Sequence, residues 1–233
     1  MKLYDGYIAR IKELCGGFPD VKTPCGKPKL KCADKNDVLF LKDTAYELGG
    51  SQQKCVSTLA VTDGMKFDNV TRLIGRDIAD ISSDCPFAKI VLLEIGNIDD
   101  DNAFDAIKSL EHLRYRVCPE GFMARASALN MREQIRVSKK TVKKKISFAD
   151  FGNALITEYL KMPNVKSVEI ILITDPSFDY GALGEVAEKI KETTSALNHI
   201  FDNILFDCKN CNLKEICDEV EGMKELHMKQ AAK

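Results

Sequence analysis

Lys89-Ile-Val-Leu-Leu-Glu-Ile95 is the stretch that decides the fold. It is rich in β-branched residues and almost continuously apolar, without the alternation of a half-wet strand, so it reads as a strand buried on both faces. Working outward, Asp100 and Asp101 open a helix that carries Phe104, Ile107, Leu110 and Leu113 on one side. Ile135 to Val137 forms a short strand candidate. Ser147 is the expected N-cap of a helix through Met162, with Asp150 in the capping-box position three residues on. Phe148, Phe151, Leu155, Ile156 and Leu160 keep to one face of it. Pro163-Asn164 ends that helix, Val165 to Thr174 reads as a central strand, and Tyr180 to Ile200 as a long helix with Leu183, Val186, Ala187 and Ile190 inward. On the N-terminal side, Val38 to Leu41 and Cys55 to Thr62 read as strands, with a turn at Leu48-Gly49-Gly50-Ser51.

Residues 1–36 lack this regularity. A short amphipathic stretch, Tyr7 to Leu14, leads into a Pro, Gly and Lys-rich segment carrying Cys25 and Cys32, which reads as a strap. Strands alternate with helices and no internal repeat is visible. The expected fold is therefore mixed α/β (or α+β): one domain with a mixed sheet flanked by helices, plus a C-terminal cysteine-rich segment. The expected division is a strap over 1–36, a main domain over 37–204 and a metal-binding segment over 205–233.

A net charge of −1 on 233 residues argues against a general nucleic-acid binder, which is normally basic. No apolar run approaches the roughly 18–20 residues of a membrane span. The N-terminus lacks the uninterrupted apolar region of a signal peptide, so the expectation is a cytoplasmic protein. Nine cysteines in such a chain point to metal ligation or reduced thiols rather than disulfides.

Three of them are concentrated. Cys208-Lys-Asn-Cys211-Asn-Leu-Lys-Glu-Ile-Cys217 has the spacing C-x2-C-x5-C. A C-x2-C pair presents two thiolates to one centre from a tight turn, and soft thiolates select zinc, copper(I) or iron–sulfur centres. Spacing alone leaves the metal open. The bland alternative, a trio of reduced or redox-paired thiols, needs three cysteines within ten residues to arise from packing. For the fourth ligand His227 is the nearest soft donor. One straight helix from Cys217 would carry it about 15 Å away. The apolar positions Ile216, Val220, Met223 and Leu226 do suit a helix, but Gly222 could reverse the chain. The alternatives are a His227 that is merely polar helix surface, with Cys15, Cys25, Cys32 or a partner chain supplying the ligand.

The chain from Asp43 to His227 resembles the β subunit of the CO dehydrogenase/acetyl-CoA synthase complex, the enzyme that joins CO, a methyl group and coenzyme A. The resemblance runs through Asp43-Thr-Ala-Tyr-Glu-Leu-Gly-Gly50, Ile74-Gly-Arg-Asp-Ile78, Glu120-Gly-Phe122 and Arg132-Glu-Gln-Ile-Arg-Val-Ser-Lys139. It continues through Ile171-Leu-Ile-Thr-Asp175 and into the cysteine segment. It implies that Cys208, Cys211 and Cys217 match three of the four cysteines holding the cubane of the family's active-site cluster, with a shorter loop between the second and third. His227 then stands where the fourth cysteine would be. The implied cofactor is a 4Fe–4S cluster, with zinc the alternative. The family's nickel atoms are held by a later Cys-x-Cys motif together with a cubane cysteine. This chain contains no Cys-x-Cys, and the expectation from the resemblance is that the large N-terminal domain and most of the nickel-bearing C-terminal domain have no counterpart here. The expectation is an acetyl-CoA-synthase-like iron–sulfur protein without catalytic residues of its own, serving as an electron-transfer, cluster-carrying or assembly partner in anaerobic one-carbon metabolism. Its expected partners are CO dehydrogenase/acetyl-CoA synthase subunits or a ferredoxin-like protein. The alternatives are a β-subunit fragment completed by other polypeptides and a zinc-stabilised interaction module.

The resemblance also implies basic side chains directed at coenzyme A, for which Arg132, Arg136 and Lys139 are the candidates, beside Lys140 and Lys143 to Lys145. A solvated charged edge is the bland alternative. His112 and His199 lie on expected helices without neighbouring ligand types and read as structural.

Overall fold

A computed structural model describes residues 2–33, 38–96, 103–127, 131–201, 215, 216, 220 and 223. Among them, ten strands and five helices are laid out along the chain. The N-terminal part supplies α1 (Asp5–Gly16), β1 (Val21–Pro24), β2 (Cys32–Ala33), β3 (Thr44–Leu48), β4 (Cys55–Thr62), β5 (Val70–Ile74) and β6 (Phe87–Ile95). There follow α2 (Ala103–Arg116), β7 (Cys118–Pro119), β8 (Phe122–Ser127) and β9 (Arg132–Ser138). Then come α3 (Lys139–Lys143), α4 (Phe148–Tyr159), β10 (Val165–Ile173) and α5 (Tyr180–Phe201).

The main sheet has the order β1-β5-β10-β6-β4 and is mixed, as expected. β10 is its centre, parallel to β5 and antiparallel to β6, and β6 is parallel to β4. The two strands with the most continuous apolar runs thus lie side by side, covered on both faces. From Phe87 to Ile95 only Glu94 is not buried, and in β10 only Lys166 is exposed. A three-stranded sheet, β3-β9-β8, packs beside it, with Leu48 and Cys85 bridging the two.

Local chemistry explains the helices. Ser147 accepts from the Asp150 N–H at 3.1 Å, and Asp150 accepts from the Ser147 N–H at 3.0 Å, a complete capping box with Asp in place of Glu. Phe148, Phe151, Leu155 and Ile156 bury themselves as expected, whereas Leu160 falls beyond the last turn and is 38% exposed. α5 lies along β4 and against α1 and α2. On α2, Ile107 and Leu110 are buried while Phe104 and Leu113 pack partly against the core. The expected start at Asp100 and Asp101 lies outside the described residues.

Two expectations need correction. Val38 to Leu41 is not a strand: it is an exposed segment running into a short 3₁₀ turn at Leu41–Asp43, and the strand begins at Thr44. The N-terminal stretch is more than a loop. Ile8, Ile11 and Cys15 of α1 sit in the core, and β1 pairs with β5 as an edge strand.

Candidate functional site

Arg132, Arg136 and Lys139 lie along β9 and at its exit into α3, but the fold employs them differently. Arg132 lies beside the β3–β4 turn, where Gly49 has φ +61°. Its Nη2 donates to the carbonyls of Gly49 (3.3 Å), Gly50 (3.0 Å) and Gln53 (2.9 Å), bracing a turn in which Gly50 O also accepts the Gln53 N–H at 2.9 Å. Arg136 pairs through Nε with Glu47 on the neighbouring strand, and its Nη1 donates to Leu39 O at 3.2 Å. Glu47 also accepts from Gln134. Both guanidinium groups are thus committed to internal partners. The sequence offered no signal for Glu47, because strand register alone brings it opposite Arg136.

Lys139 lines a broad groove of about 1080 Å³, together with Lys140, Lys143, Lys144, Leu39 and Lys29. Its floor is built by polar residues. Ser138 caps α3 by accepting from the Thr141 N–H at 3.0 Å, and the two hydroxyls lie 2.7 Å apart. Gly121, at φ +86°, comes so near that a Cβ there would sit 2.1 Å from Thr141 Oγ1. Lys29 reaches in from the strap and pairs with Asp150 at 3.0 Å. The Asp150 carboxyl is held below its ordinary value. Partial burial pushes it up, but the Ser147 N–H, the Lys29 ammonium and the Ser147 hydroxyl together outweigh that.

Cys208, Cys211, Cys217 and His227 lie outside the described residues. Close to them in sequence, Ile216, Val220 and Met223 are buried and belong to the main core. The Val220 N–H donates to Ile216 O at 2.9 Å and the Met223 N–H to Val220 O at 3.2 Å. Of the rival thiols, Cys15 is fully buried, with its thiol pushed up to about 11 by desolvation, and Cys25 is partly buried and also raised. Among the described residues no three His, Cys, Asp or Glu side chains gather to hold a metal ion. Likewise no described helix is long and apolar enough to cross a membrane.

The family model described as "CO dehydrogenase/acetyl-CoA synthase complex beta subunit" matches residues 37–178. The match takes in β3 through β10, α2 to α4 and the groove's Lys139, Lys140, Lys143 and Lys144 but not Lys29, and it ends before α5 and the cysteine segment. No curated protein matches the chain. With well over half of its length matched, this chain belongs to the family of the CO dehydrogenase/acetyl-CoA synthase complex β subunit.

Proposed function

We propose that this protein is an acetyl-CoA-synthase-like iron–sulfur protein. In this reading it works beside CO dehydrogenase/acetyl-CoA synthase subunits, or a ferredoxin-like protein, as an electron-transfer, cluster-carrying or assembly partner in anaerobic one-carbon metabolism. The observation that carries the reading is the C-x2-C-x5-C spacing of Cys208, Cys211 and Cys217; Ile216 within that motif and Val220 and Met223 after it are buried in the core. Three thiolates and one imidazole, from Cys208, Cys211, Cys217 and His227, form a soft donor set suited to a 4Fe–4S cluster. Such a cluster, once bound, supplies one-electron chemistry. Coenzyme A is the proposed ligand of the basic groove. Lys139 is the candidate that lines the groove, with one ammonium donor on Lys42 O at 2.8 Å, whereas neither Arg132 nor Arg136 is among its lining residues.

The family match favours one further reading, a β-subunit portion whose remaining parts come from other polypeptides. In that case nickel-binding subunits co-purify and acetyl-CoA synthesis appears on mixing.

The deciding experiment is metal and sulfide analysis of anaerobically purified protein with its visible spectrum. About one cubane's worth of iron and acid-labile sulfide per chain, with broad charge-transfer absorption, is expected. Stoichiometric zinc without sulfide would replace this reading with a zinc-stabilised interaction module.

A further inference from the structure

Three of the most exposed large apolar side chains in the described structure are neighbours in sequence. Val38 is 73%, Phe40 63% and Leu41 74% accessible to solvent. Their backbone is nevertheless held in place. Leu39 N–H donates to Met123 Sδ at 3.3 Å, and Leu39 O accepts from Arg136. Phe40 O accepts the Thr44 hydroxyl at 2.9 Å, and Lys42 O accepts Lys139 Nζ at 2.8 Å. A segment pinned at four points could turn its side chains inward. Here Leu39 lines the groove and the residues on either side of it face water.

The same bonds fix this apolar rim to the basic groove. Lys140, Lys143 and Lys144 line that groove, are exposed, and meet no carboxylate within ion-pair distance among the described residues. A positive cluster on a chain of net charge −1 is a local field, not a bulk property. Asp43 and Glu120 also line the groove, but its lysines, Lys29, Lys139, Lys140, Lys143 and Lys144, outnumber them and leave it positive. Apolar anchors bordered by a predominantly positive margin have the anatomy of a protein interface, with an apolar centre and a charged margin. Nucleic acid fits less well, since exposed Val, Phe and Leu gain nothing against a phosphate backbone. Coenzyme A held in the groove by Lys139 would still leave the rim, Lys143 and Lys144 available to a partner, so the two occupants are compatible.

We infer that Val38, Phe40 and Leu41, with the adjoining lysines of α3, form a docking surface for an acidic protein face bearing an apolar spot. The partner is another subunit of the complex, so the inference rests on the chain's acting as a complex subunit. The lysines steer and orient the partner, and the rim supplies the contact that excludes water. Because the rim's backbone is already fixed, docking costs little ordering of the chain.

The test uses the full chain, prepared anaerobically, and each other purified subunit of the complex in turn, with affinity measured by titration calorimetry. One subunit is expected to bind. The double variant Phe40→Ser/Leu41→Ser should weaken that binding at least about tenfold at any salt concentration, as apolar anchors do. Lys143→Glu/Lys144→Glu should weaken it about tenfold at low salt and much less near 0.5 M, where screening is short-ranged. Zero-length coupling of the unmutated proteins should join Lys140, Lys143 or Lys144 to the partner's carboxylates. The proposal is overturned if no subunit binds, or if binding ignores the rim variant. It is equally overturned if the lysine variant loses only binding of inorganic pyrophosphate, which would make the groove a small-anion site. Iron content, measured on each variant, reports separately on the cluster.

Discussion

Lys89 on β6 and Glu133 on β9 form an ion pair with both side chains almost wholly withdrawn from water, tying the five-stranded sheet to the three-stranded one. The second Glu133 oxygen accepts the Ser57 hydroxyl at 2.9 Å, so the carboxylate is used on both sides. Desolvating two charges is costly. Such a pair therefore acts mainly by making its own half-removal intolerable.

Accordingly, Lys89→Met alone should destabilise the protein by about 3–5 kcal/mol, because Glu133 is left charged and buried. The double variant Lys89→Met/Glu133→Gln, which keeps an acceptor for Ser57, should recover most of that loss. Denaturant midpoints across the four-protein cycle measure it. Single-variant losses under about 1 kcal/mol would mean that the pair is hydrated in solution.

Gly152 is where α4 presses on β5. A Cβ there would lie 2.2 Å from Thr71 Oγ1 and 2.9 Å from Thr71 Cβ. Gly152→Ala gains up to about 1 kcal/mol of helix propensity but pays overpacking of about 1–3 kcal/mol, so a net loss is expected. Thr71→Ala should rescue part of it. If Gly152→Ala raises the thermal midpoint, α4 does not approach β5 this closely.

Acid should loosen the α4 cap and the strap together, since Asp150 serves both. Its folded-state pKa lies below the ordinary 3.8, so the unfolded chain takes up the proton first as pH falls. The resulting stability is fully present above the ordinary value and is lost as pH drops through the depressed one. Asp150→Asn should flatten stability against pH over that window, while Ser147→Ala should cost about 1 kcal/mol at neutral pH. Unfolding followed between pH 2 and 6 distinguishes the two; an unchanged acid limb in Asp150→Asn would count against Asp150 as its source.

His227 is expected to complete the proposed cluster. An imidazole in place of thiolate leaves the cluster one unit less negative and raises its potential, as in histidine-ligated two-iron centres. His227→Ala should give an exchangeable iron, and His227→Cys a more stable cluster of lower potential. Anaerobic redox titration with iron analysis checks both. If neither variant alters the cluster, the fourth ligand belongs to another residue or a partner.

How much of this was legible depended on the chemistry of each segment. β4, β6 and β10 could be read from one pass along the chain, because strands covered on both faces need nearly unbroken apolar runs. The capping box at Ser147 was equally visible, being a local hydrogen-bonding device. β5 escaped notice because Arg72 interrupts it. That charge is tolerated only because Asp20 (2.6 Å) and Glu169 (3.2 Å), remote in sequence, converge on it. β3 and β8 were hidden by mixed, partly exposed residues, and Val38 to Leu41 misled by being apolar yet solvent-facing.

The candidate sites divide along the same line. The sequence by itself determined the α/β class, the central strands, the family resemblance and the cysteine spacing, since each is written in local pattern or in the order of motifs. Tertiary structure alone decided that Arg132 closes a turn, that Arg136 is neutralised by Glu47, and that Lys29 from the strap joins Lys139 to Lys144 around one groove. The physical reason is that a charged side chain's role is set by which partners reach it. Strand register and packing bring those partners from positions some 80 to 110 residues away, beyond the reach of any local pattern.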